Sequence, residues 1–322
     1  MQAEVGVEQP LKNIHATPFQ LYAITDNQFL RLGPDGRVVE LRTLNPNGLP
    51  LSRPALSDNL FARLVADGQG RQLLELQLAR NPSAVRRIAP DTLRLPGDDL
   101  LEFDGLARSA GVFSADGVFY LQPAKVFRNN RGHYLLLLFE IRLNPLHDAF
   151  QSLILKGRVE LPELEAPATN LSNLVSLRFL EGAFFLTSKA GAWRIDTEPA
   201  AQRIFQQWML DVFPWNGKLY ITGFNSFDLH ESTDGGLTWK RLNQPSELKL
   251  VEARGERLFT QEVLGKPFFL GDENLRDALP LQYPPEVDPG NFSAFVGVEF
   301  FADAFWFAIE RSLFYTDTLL TE

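Results

Sequence analysis

One local pattern occurs seven times along the chain and constrains its fold more than any other feature. Each copy has an apolar strand, a tight polar turn that usually carries Gly, and a second strand that opens on large apolar residues. The copies read YAITDNQFL, LVADGQGRQLL, VFSADGVFYL, FLEGAFFL, FPWNGKLYI, VEARGERLF and EFFADAFWF. The first large apolar residues after the turns are Phe29, Leu73, Phe119, Phe184, Leu219, Leu258 and Phe305, with a mean spacing of 46 residues. The chain therefore reads as a repeat protein made of hairpins.

The period and the strand content indicate a β-propeller. Repeats of about 40 to 50 residues built from short strands are typical of propellers, whose blades are four-stranded sheets. The 322 residues, shared among seven copies, also give 46 residues each. We predict an all-β fold, a seven-bladed β-propeller of four-stranded antiparallel blades, with six or eight blades as the alternatives.

The spacing of the copies also predicts the domain organisation. Residues 1–15 read as a flexible N-terminal lead, and residues 16–322 as a single propeller domain. One interval, between Phe119 and Phe184, is 65 residues and exceeds all the others. It predicts an enlarged blade or an insertion around residues 123–172, and a degenerate eighth blade is the alternative.

Composition excludes several classes of site. The chain has no cysteine, which removes disulfides, thiolate nucleophiles and cysteine-ligated zinc. Its net charge of −9 disfavours affinity for nucleic acid, because that affinity depends on Lys and Arg displacing counterions. The longest apolar run, 135–139, is far shorter than the roughly 20 residues that cross a bilayer. We expect no nucleic-acid partner and no membrane span.

The stretch ESTDGGLTWK, residues 231–240, carries Ser, Asp, Gly, Thr and Trp in a defined order. It resembles the Asp-box of bacterial-neuraminidase-repeat, sialidase-like propellers. The matching residues are Ser232, Asp234, Gly236, Thr238 and Trp239. A short carboxylate and a hydroxyl can satisfy backbone amides within a hairpin turn, so these residues are expected to be structural.

The resemblance also implies a test for chemistry. Sialidases use an arginine triad, a Tyr nucleophile assisted by Glu, and an Asp acid/base on the central face. This chain has no Phe-Arg-Ile-Pro motif near its start, and no Tyr can be assigned as the nucleophile. It also has no HExxH pair, GxSxG elbow or phosphate-binding loop, so no metal and no cofactor is predicted.

Charged residues inside the apolar strands form the remaining candidate site. They are Arg63, Arg178, Asp211, Glu252 and Glu299. Arg178, Glu252 and Glu299 each lie six residues before the first large apolar residue after their turn, so they share one register. Because the innermost strands of a propeller line its channel, we expect these charges to gather at one opening. There they either pair and seal the channel or contact a ligand.

Two kinds of role follow for these residues. Glu252, Glu299 and Arg178 are the candidate catalytic residues, since two carboxylates at a suitable separation act as acid and base on a sugar. Arg63, Asp211 and Trp215 are the candidate binding residues. Trp215 belongs with Trp208 and Phe213 to an aromatic cluster that forms either a sugar platform or buried packing.

The preferred function is a non-catalytic binding or scaffolding propeller of the bacterial cell envelope, which recognises a protein or glycan through one face. A glycan-active hydrolase or lyase is the alternative. We expect a monomer located in the periplasm, on the cell surface or outside a bacterium. Propellers commonly bind partners in this way, and the transfer rests on analogy of fold.

Overall fold

The computed structural model describes residues 2–7, 9–17, 20–33, 35, 37–43, 49–50, 55–104, 111–169, 171–225, 228–242, 250–254, 257–261, 269–271, 277–280, 295–309 and 311–316. The chain divides into two compact units. The terminal unit contains Met1–Leu44 and Leu210–Glu322, and the middle unit contains Asn45–Met209. Seven antiparallel sheets account for the described strands, four in the terminal unit and three in the middle unit. We number these sheets 1 to 7 along the chain.

The terminal unit contains sheets 1, 5, 6 and 7. Sheet 1 consists of β2 (Leu11–Ala16), β3 (Leu21–Thr25), β4 (Gln28–Leu32) and β5 (Val38–Thr43). Sheet 5 consists of β20 (Met209–Trp215), β21 (Lys218–Gly223), β22 (Leu229–Ser232) and β23 (Lys240–Arg241). Sheet 6 consists of β24 (Leu250–Arg254), β25 (Arg257–Gln261), β26 (Phe269–Gly271) and β27 (Asp277–Pro280). Sheet 7 consists of β28 (Phe295–Phe301), β29 (Ala304–Ile309), β30 (Ser312–Thr316) and β1 (Gln2–Gly6).

The middle unit contains sheets 2, 3 and 4. Sheet 2 consists of β6 (Leu49–Pro50), β7 (Ala55–Leu56), β8 (Leu60–Ala66), β9 (Gln72–Leu78) and β10 (Val85–Ile88). Sheet 3 consists of β11 (Leu100–Phe103), β12 (Val112–Phe113), β13 (Phe119–Arg128), β14 (Arg131–Leu143) and β15 (Phe150–Glu165). Sheet 4 consists of β16 (Leu174–Leu180), β17 (Ala183–Ser188), β18 (Gly191–Ile195) and β19 (Ala201–Phe205). The single short helix of the described residues, a 3₁₀ turn at Pro90–Leu93, leads into sheet 3.

Each sheet is a meander of neighbouring antiparallel strands. In sheets 2 and 3 two short pieces, β6 with β7 and β11 with β12, share the place of the first strand against the second strand. The predicted all-β propeller with four-stranded antiparallel blades is confirmed. The ring of seven blades stays a prediction, as do its six- and eight-bladed alternatives. No helix among the described residues has the length and hydropathy needed to cross a membrane.

Sheet 7 joins residues from opposite ends of the chain. β1 pairs antiparallel with β30, and Gln2 lies opposite Tyr315. β2 then begins at Leu11 and pairs with β3. Two paired strands therefore replace the flexible lead that was predicted for residues 1–15.

Large apolar side chains fill the space between neighbouring sheets within each unit. In the middle unit, one buried cluster joins sheets 2 and 3 and a second joins sheets 3 and 4. In the terminal unit, one cluster joins sheet 1 to sheet 7 and another joins sheet 5 to sheet 6. Phe259 of sheet 6 also packs edge-on against Phe305 and Phe307 of sheet 7, with centroids 5.3 and 5.6 Å away. Such packing is the main stabilising term, since a truncated core Phe costs about 3–5 kcal/mol.

The first strands of neighbouring sheets lie against each other. In the terminal unit β2 and β24 both contact β28, and in the middle unit β7 and β16 both contact β12. The first strand of a sheet therefore lies where the sheets of a unit converge, as the inner strands of propeller blades do.

The seven sequence copies fall one in each sheet but not at the same hairpin. The copies at Phe29 and Leu73 join second and third strands, whereas the other five join first and second strands. Asn-Gly and Glu-Gly supply the left-handed backbone that two-residue hairpins need, as at Asn216–Gly217 with φ of 48° and 69°. Ala302 and Asp303 adopt the same conformation without glycine, at φ of 50° and 59°.

The long interval before Phe184 arises from sheet 3. Its strands β13, β14 and β15 have 10, 13 and 16 residues and form one continuous antiparallel ladder. An enlarged sheet around residues 123–172 therefore accounts for the interval, and the next strand, β16, already belongs to sheet 4.

Candidate functional site

The charged residues predicted to share a register do so. Arg178, Glu252 and Glu299 lie on the first strands β16, β24 and β28. Each is opposite the residue seven positions later, which is Phe185, Phe259 and Trp306 respectively. Arg178 belongs to the middle unit and the two glutamates to the terminal unit. Their gathering around one opening therefore stays a prediction.

Glu299 faces the interface between sheets 7 and 1. Because residues two apart in a strand share a side, Glu299 lies on the same side of β28 as Gly297 and Phe301. A methyl group added to Gly297 would lie 3.5 Å from Ile14 of sheet 1, and Phe301 packs in the cluster shared with sheet 1. Glu299 is only 9% exposed. The side chain of Glu252 lies outside the described residues.

Asp211 and Arg178 are the other two candidate charges that lie on first strands and have described side chains. Asp211 is fully buried, and its Oδ1 accepts a hydrogen bond of 2.9 Å from the backbone N–H of Val212. Arg178 lies on the opposite side of β16 from Leu177 and Phe179, which pack toward sheet 3. Of the residues in the shared register, Glu299 is the one that the structure places between two sheets.

Arg63 does not belong to this register. It lies on β8, the second strand of sheet 2, because its copy of the repeat is a hairpin between second and third strands. Its Nε and Nη2 both donate to Oε1 of Glu75 at 3.1 Å, while Arg87 Nε donates to Oε2 of the same carboxylate at 2.9 Å. Arg63 and Glu75 are almost fully buried, so this cross-strand ladder acts in the core of the sheet.

The predicted aromatic cluster is core packing where its contacts are described. Phe213 is fully buried and stacks on Tyr220 at 5.6 Å, and Trp215 packs with both against Leu258 of sheet 6. Trp208 lies half-buried under the ammonium of Lys189, which is 5.5 Å from the ring centroid. Trp215 presents too little surface to stack on a sugar.

Residues 232–239 form a tight turn between the third and fourth strands of sheet 5. Oδ1 of Asp234 accepts hydrogen bonds from the backbone N–H groups of Leu237 and Thr238, at 3.1 and 2.9 Å. The same oxygen accepts a hydrogen bond from the Ser232 hydroxyl at 2.8 Å. Oδ2 accepts a hydrogen bond from the Thr238 hydroxyl at 2.6 Å. The Gly236 N–H donates to the Ser232 hydroxyl, and Trp239 Nε1 donates to the Gly236 carbonyl. The Thr238 hydroxyl, followed by the backbone N–H of Thr238 and the Ser232 hydroxyl, lowers the pKa of Asp234 to about 2. These hydrogen bonds are internal to the turn, which fits a structural role.

A polar network that the sequence did not reveal fixes the connection into sheet 3. The carboxylate of Asp98 accepts from the backbone N–H of Leu95 at 2.8 Å, from Arg158 Nη2 at 2.8 Å and from Arg128 Nε at 2.7 Å. Arg158 also donates to the Leu93 carbonyl at 2.8 Å. Burial alone would raise the pKa of Asp98, but these hydrogen bonds lower it to about 2.

A second network fixes the connection that leaves sheet 3. Lys125 Nζ donates to the Thr169 and Leu171 carbonyls at 3.1 and 3.3 Å and lies 3.3 Å from Oδ1 of Asp104. The Ser172 hydroxyl donates to Oδ2 of Asp104 at 2.8 Å. Burial raises the pKa of Asp104. Lys125 is a cation between apolar neighbours, Ala124 and Val126, and this sequence signal could have found the network.

The two networks hold the backbone of Leu95 and Leu171, two of three exposed leucines at one end of sheet 3. Leu95 precedes β11, Leu100 opens it, and Leu171 follows β15; their exposed fractions are 53%, 41% and 74%. In a meander the first strand begins where the fourth ends, so all three lie at the end that carries the Asn129–Asn130 turn. We call Leu95, Leu100 and Leu171 the leucine surface. It is the candidate binding site of the middle unit, because its backbone is fixed by buried charge.

Among the residues whose side chains are described, no three His, Asp or Glu residues lie close enough together to hold a metal ion.

Comparison with known proteins adds little to this geometry. No protein-family model matches the chain, and no curated protein matches it. PorZ, an essential bacterial surface component of the type-IX secretion system of Porphyromonas gingivalis, is 9% identical with a TM-score of 0.48, over 100% of this chain and 39% of that one. The chain thus spans 39% of the length of the PorZ chain.

Two further solved structures are similar at the same level. The AfRom2 CNH domain is 8% identical with a TM-score of 0.47 over 99% of both chains. The β-propeller domain of the Trilobed protease from Pyrococcus furiosus is 13% identical with a TM-score of 0.44 over 85% of both chains. None of these TM-scores reaches 0.5, so the function of this chain has to be argued from its own residues.

Proposed function

We propose that this chain is a non-catalytic binding or scaffolding propeller of the bacterial cell envelope that recognises a partner through one face. The leucine surface carries the proposal. Exposed apolar side chains that lie together commonly mark protein-binding sites, and a backbone fixed before binding lowers the entropy that association costs. The Leu95 amide and the Leu171 carbonyl each have a buried charged partner.

The leucine surface favours a protein over a glycan as the partner. Sugars are usually bound by exposed aromatic rings with polar side chains around them, whereas leucine offers only an apolar surface. Phe213 and Trp215, the candidate platform, are buried. The partner chemistry that fits is an apolar patch on a second protein.

The non-catalytic part of the proposal is supported by the setting of Glu299. A carboxylate that acts on a sugar has to reach the glycosidic oxygen, whereas Glu299 is buried against sheet 1. Hydrolysis by Glu252 and Glu299 with Arg178 as the substrate-binding cation stays the alternative, because the three share one register.

Two experiments test the proposal. A glycan-binding and hydrolysis screen compares the wild type with Glu299→Gln and Glu252→Gln; hydrolysis by the wild type that either variant loses would establish the enzyme instead. In-cell cross-linking then compares the wild type with Leu95→Asp/Leu171→Asp and with Leu146→Asp, an exposed leucine in the β14–β15 turn at the other end of sheet 3. The proposal requires cross-links that persist in Leu146→Asp and vanish in the double variant, and cell fractionation of the wild type checks the envelope location.

A further inference from the structure

Strand β5 is an unusual sheet edge. It is the outermost strand of sheet 1, and among the described residues it pairs with β4 alone, on its inner side. Val38, Val39 and Leu41 on this strand are 41%, 55% and 57% exposed. An exposed apolar edge strand offers a row of backbone donors and acceptors to another strand.

Other described outer strands are protected in the usual way. β10 carries Arg86 and Arg87, β19 carries Arg203, and β23 is Lys240–Arg241. β15 contains Lys156 and a proline within its length. Charged side chains, proline and bulges at an edge discourage pairing with another chain; β5 carries Glu40, Arg42 and a bulge at Val39, but no charge on the side of Leu41 and Thr43.

The sequence of β5 is complementary to itself in one antiparallel register. When a strand pairs with a copy of itself about a two-fold axis, one residue must lie opposite its own counterpart, because inward and outward hydrogen-bonding residues alternate. An axis at Glu40 or at Arg42 would place like charges opposite each other, which destabilises a pair. An axis at Leu41 places Glu40 opposite Arg42 of the second copy, twice, and Leu41 opposite Leu41.

The remaining positions of that register also match. Val39 then lies opposite Thr43; both are exposed, Thr43 is on the same side of β5 as Leu41, and Val39 is the residue at which β5 shifts register against β4. Glu40 and Arg42 already contact each other along the strand, and Glu40 also lies 3.1 Å from Arg31. These contacts hold Glu40 and Arg42 on one side of β5, where each would meet the opposite charge of a second copy.

We propose that β5 pairs with β5 of a second copy of this chain, antiparallel and centred on Leu41, to form a homodimer through a continuous sheet. This differs from the monomer expected from the sequence. It is independent of the leucine surface, which lies in the other unit.

Sedimentation equilibrium over a series of protein concentrations tests the dimer. The wild type is expected to shift from monomer to dimer, and Leu41→Lys to weaken self-association about tenfold or more, since it places two cations opposite each other. Leu146→Lys, which removes an even more exposed leucine from a turn, is the control and should dimerise like the wild type. A wild type that is monomeric at every concentration, or a dimer that Leu41→Lys leaves intact, overturns the proposal.

Two charge variants test the register. Glu40→Lys and Arg42→Glu each place like charges opposite each other in a homodimer, so each alone should associate about tenfold more weakly than the wild type. Mixed together they restore both opposite-charge pairs, and a heterodimer of wild-type affinity should form. Near-UV circular dichroism confirms that each variant is folded. Variants that self-associate like the wild type, or a mixture that fails to pair, would exclude the register centred on Leu41.

Discussion

The Asp98 network offers the sharpest test of how buried charge holds the connection into sheet 3. The side chain of Asp98 has no exposed surface, and that of Arg158 is 9% exposed. In Asp98→Ala, Arg128 keeps its two hydrogen bonds to Glu160 at 2.9 and 2.7 Å, whereas Arg158 keeps one hydrogen bond, to the Leu93 carbonyl, and the nearby charge of Glu160. The cost of the substitution is therefore dominated by Arg158.

The magnitude follows from the loss of one partner of a buried pair. Removing that partner leaves an uncompensated buried charge and costs about 3–5 kcal/mol of unfolding free energy. The half-exposed Arg128 contact adds less than about 1 kcal/mol, and the Leu95 hydrogen bond about 1 kcal/mol. Together these contributions predict that Asp98→Ala lowers the unfolding free energy by about 4–7 kcal/mol, measured by urea denaturation.

Asp99→Ala is the matched control for that measurement. Asp99 is the exposed neighbour of Asp98, and its Oδ2 accepts one hydrogen bond of 2.7 Å from the Asn129 N–H. Its loss should cost about 0.5–1 kcal/mol. Adding Arg158→Met to Asp98→Ala should recover part of the stability, because the stranded charge is removed. Equal costs for the two aspartates, or no recovery, would refute the reasoning.

The pH dependence gives the same network a second readout. The pKa of Asp98 falls from 3.8 to about 2 on folding. A carboxyl group with a lowered pKa in the folded state contributes stability above its unfolded pKa and loses it as the pH falls through the folded value. The stability of the wild type should therefore decline between about pH 4 and pH 2 more steeply than that of Asp98→Asn.

Four further substitutions probe the local geometry. Asp303→Gly should raise the unfolding free energy by about 0.5–1 kcal/mol, because glycine tolerates the left-handed backbone. Gly182→Ala lies in the equivalent turn, with φ of +79° and open space around it, and should lower the unfolding free energy by about 1 kcal/mol. Both changes are measured by urea denaturation. Asp234→Ala should lower the melting temperature and make the turn after β22 easier to cut in limited proteolysis, and a turn as resistant as in the wild type would show that its hydrogen bonds are dispensable. Gly157→Ala should cost about 1–3 kcal/mol in denaturant titrations, since the new methyl group would lie 2.2 Å from Pro199 and has to displace it.

The repeat was visible in the sequence because it depends on local chemistry. A two-residue turn such as Asn216–Gly217 leaves its mark in a few adjacent residues, and alternation marks the strands beside it. The position of a hairpin within its sheet depends on tertiary structure and is not visible in the turn. The copy at Leu73, which joins second and third strands, was therefore aligned with hairpins that join first and second strands. Arg63 was consequently assigned to the wrong strand, although counting outward from its turn would have found Glu75 opposite it.

Long-range partners explain the other differences. β1 reads as a lead because its partner lies at the opposite end of the chain, and nothing nearby announces the pairing. Asp98 and Asp104 sit in connections whose partners are tens of residues away in β13, β15 and the segment after β15. The shared register of Arg178 and Glu299 could be predicted because it needs only a count from each turn. The direction of Glu299, between sheets 7 and 1, depends on which sheets are neighbours.

The pairing of β1 with β30 decides how the molecule responds to mechanical load. Gln2 lies opposite Tyr315 and Gly6 opposite Ser312, so the start of β1 and the end of β30 lie at the same end of the ladder between them. Tension between the start of β1 and the end of β30 therefore breaks the backbone hydrogen bonds between these strands one after another, beginning at Gln2. It does not load all of them at the same time. During synthesis β1 waits without its partner until β30 has emerged, so sheet 7 is the last to become complete.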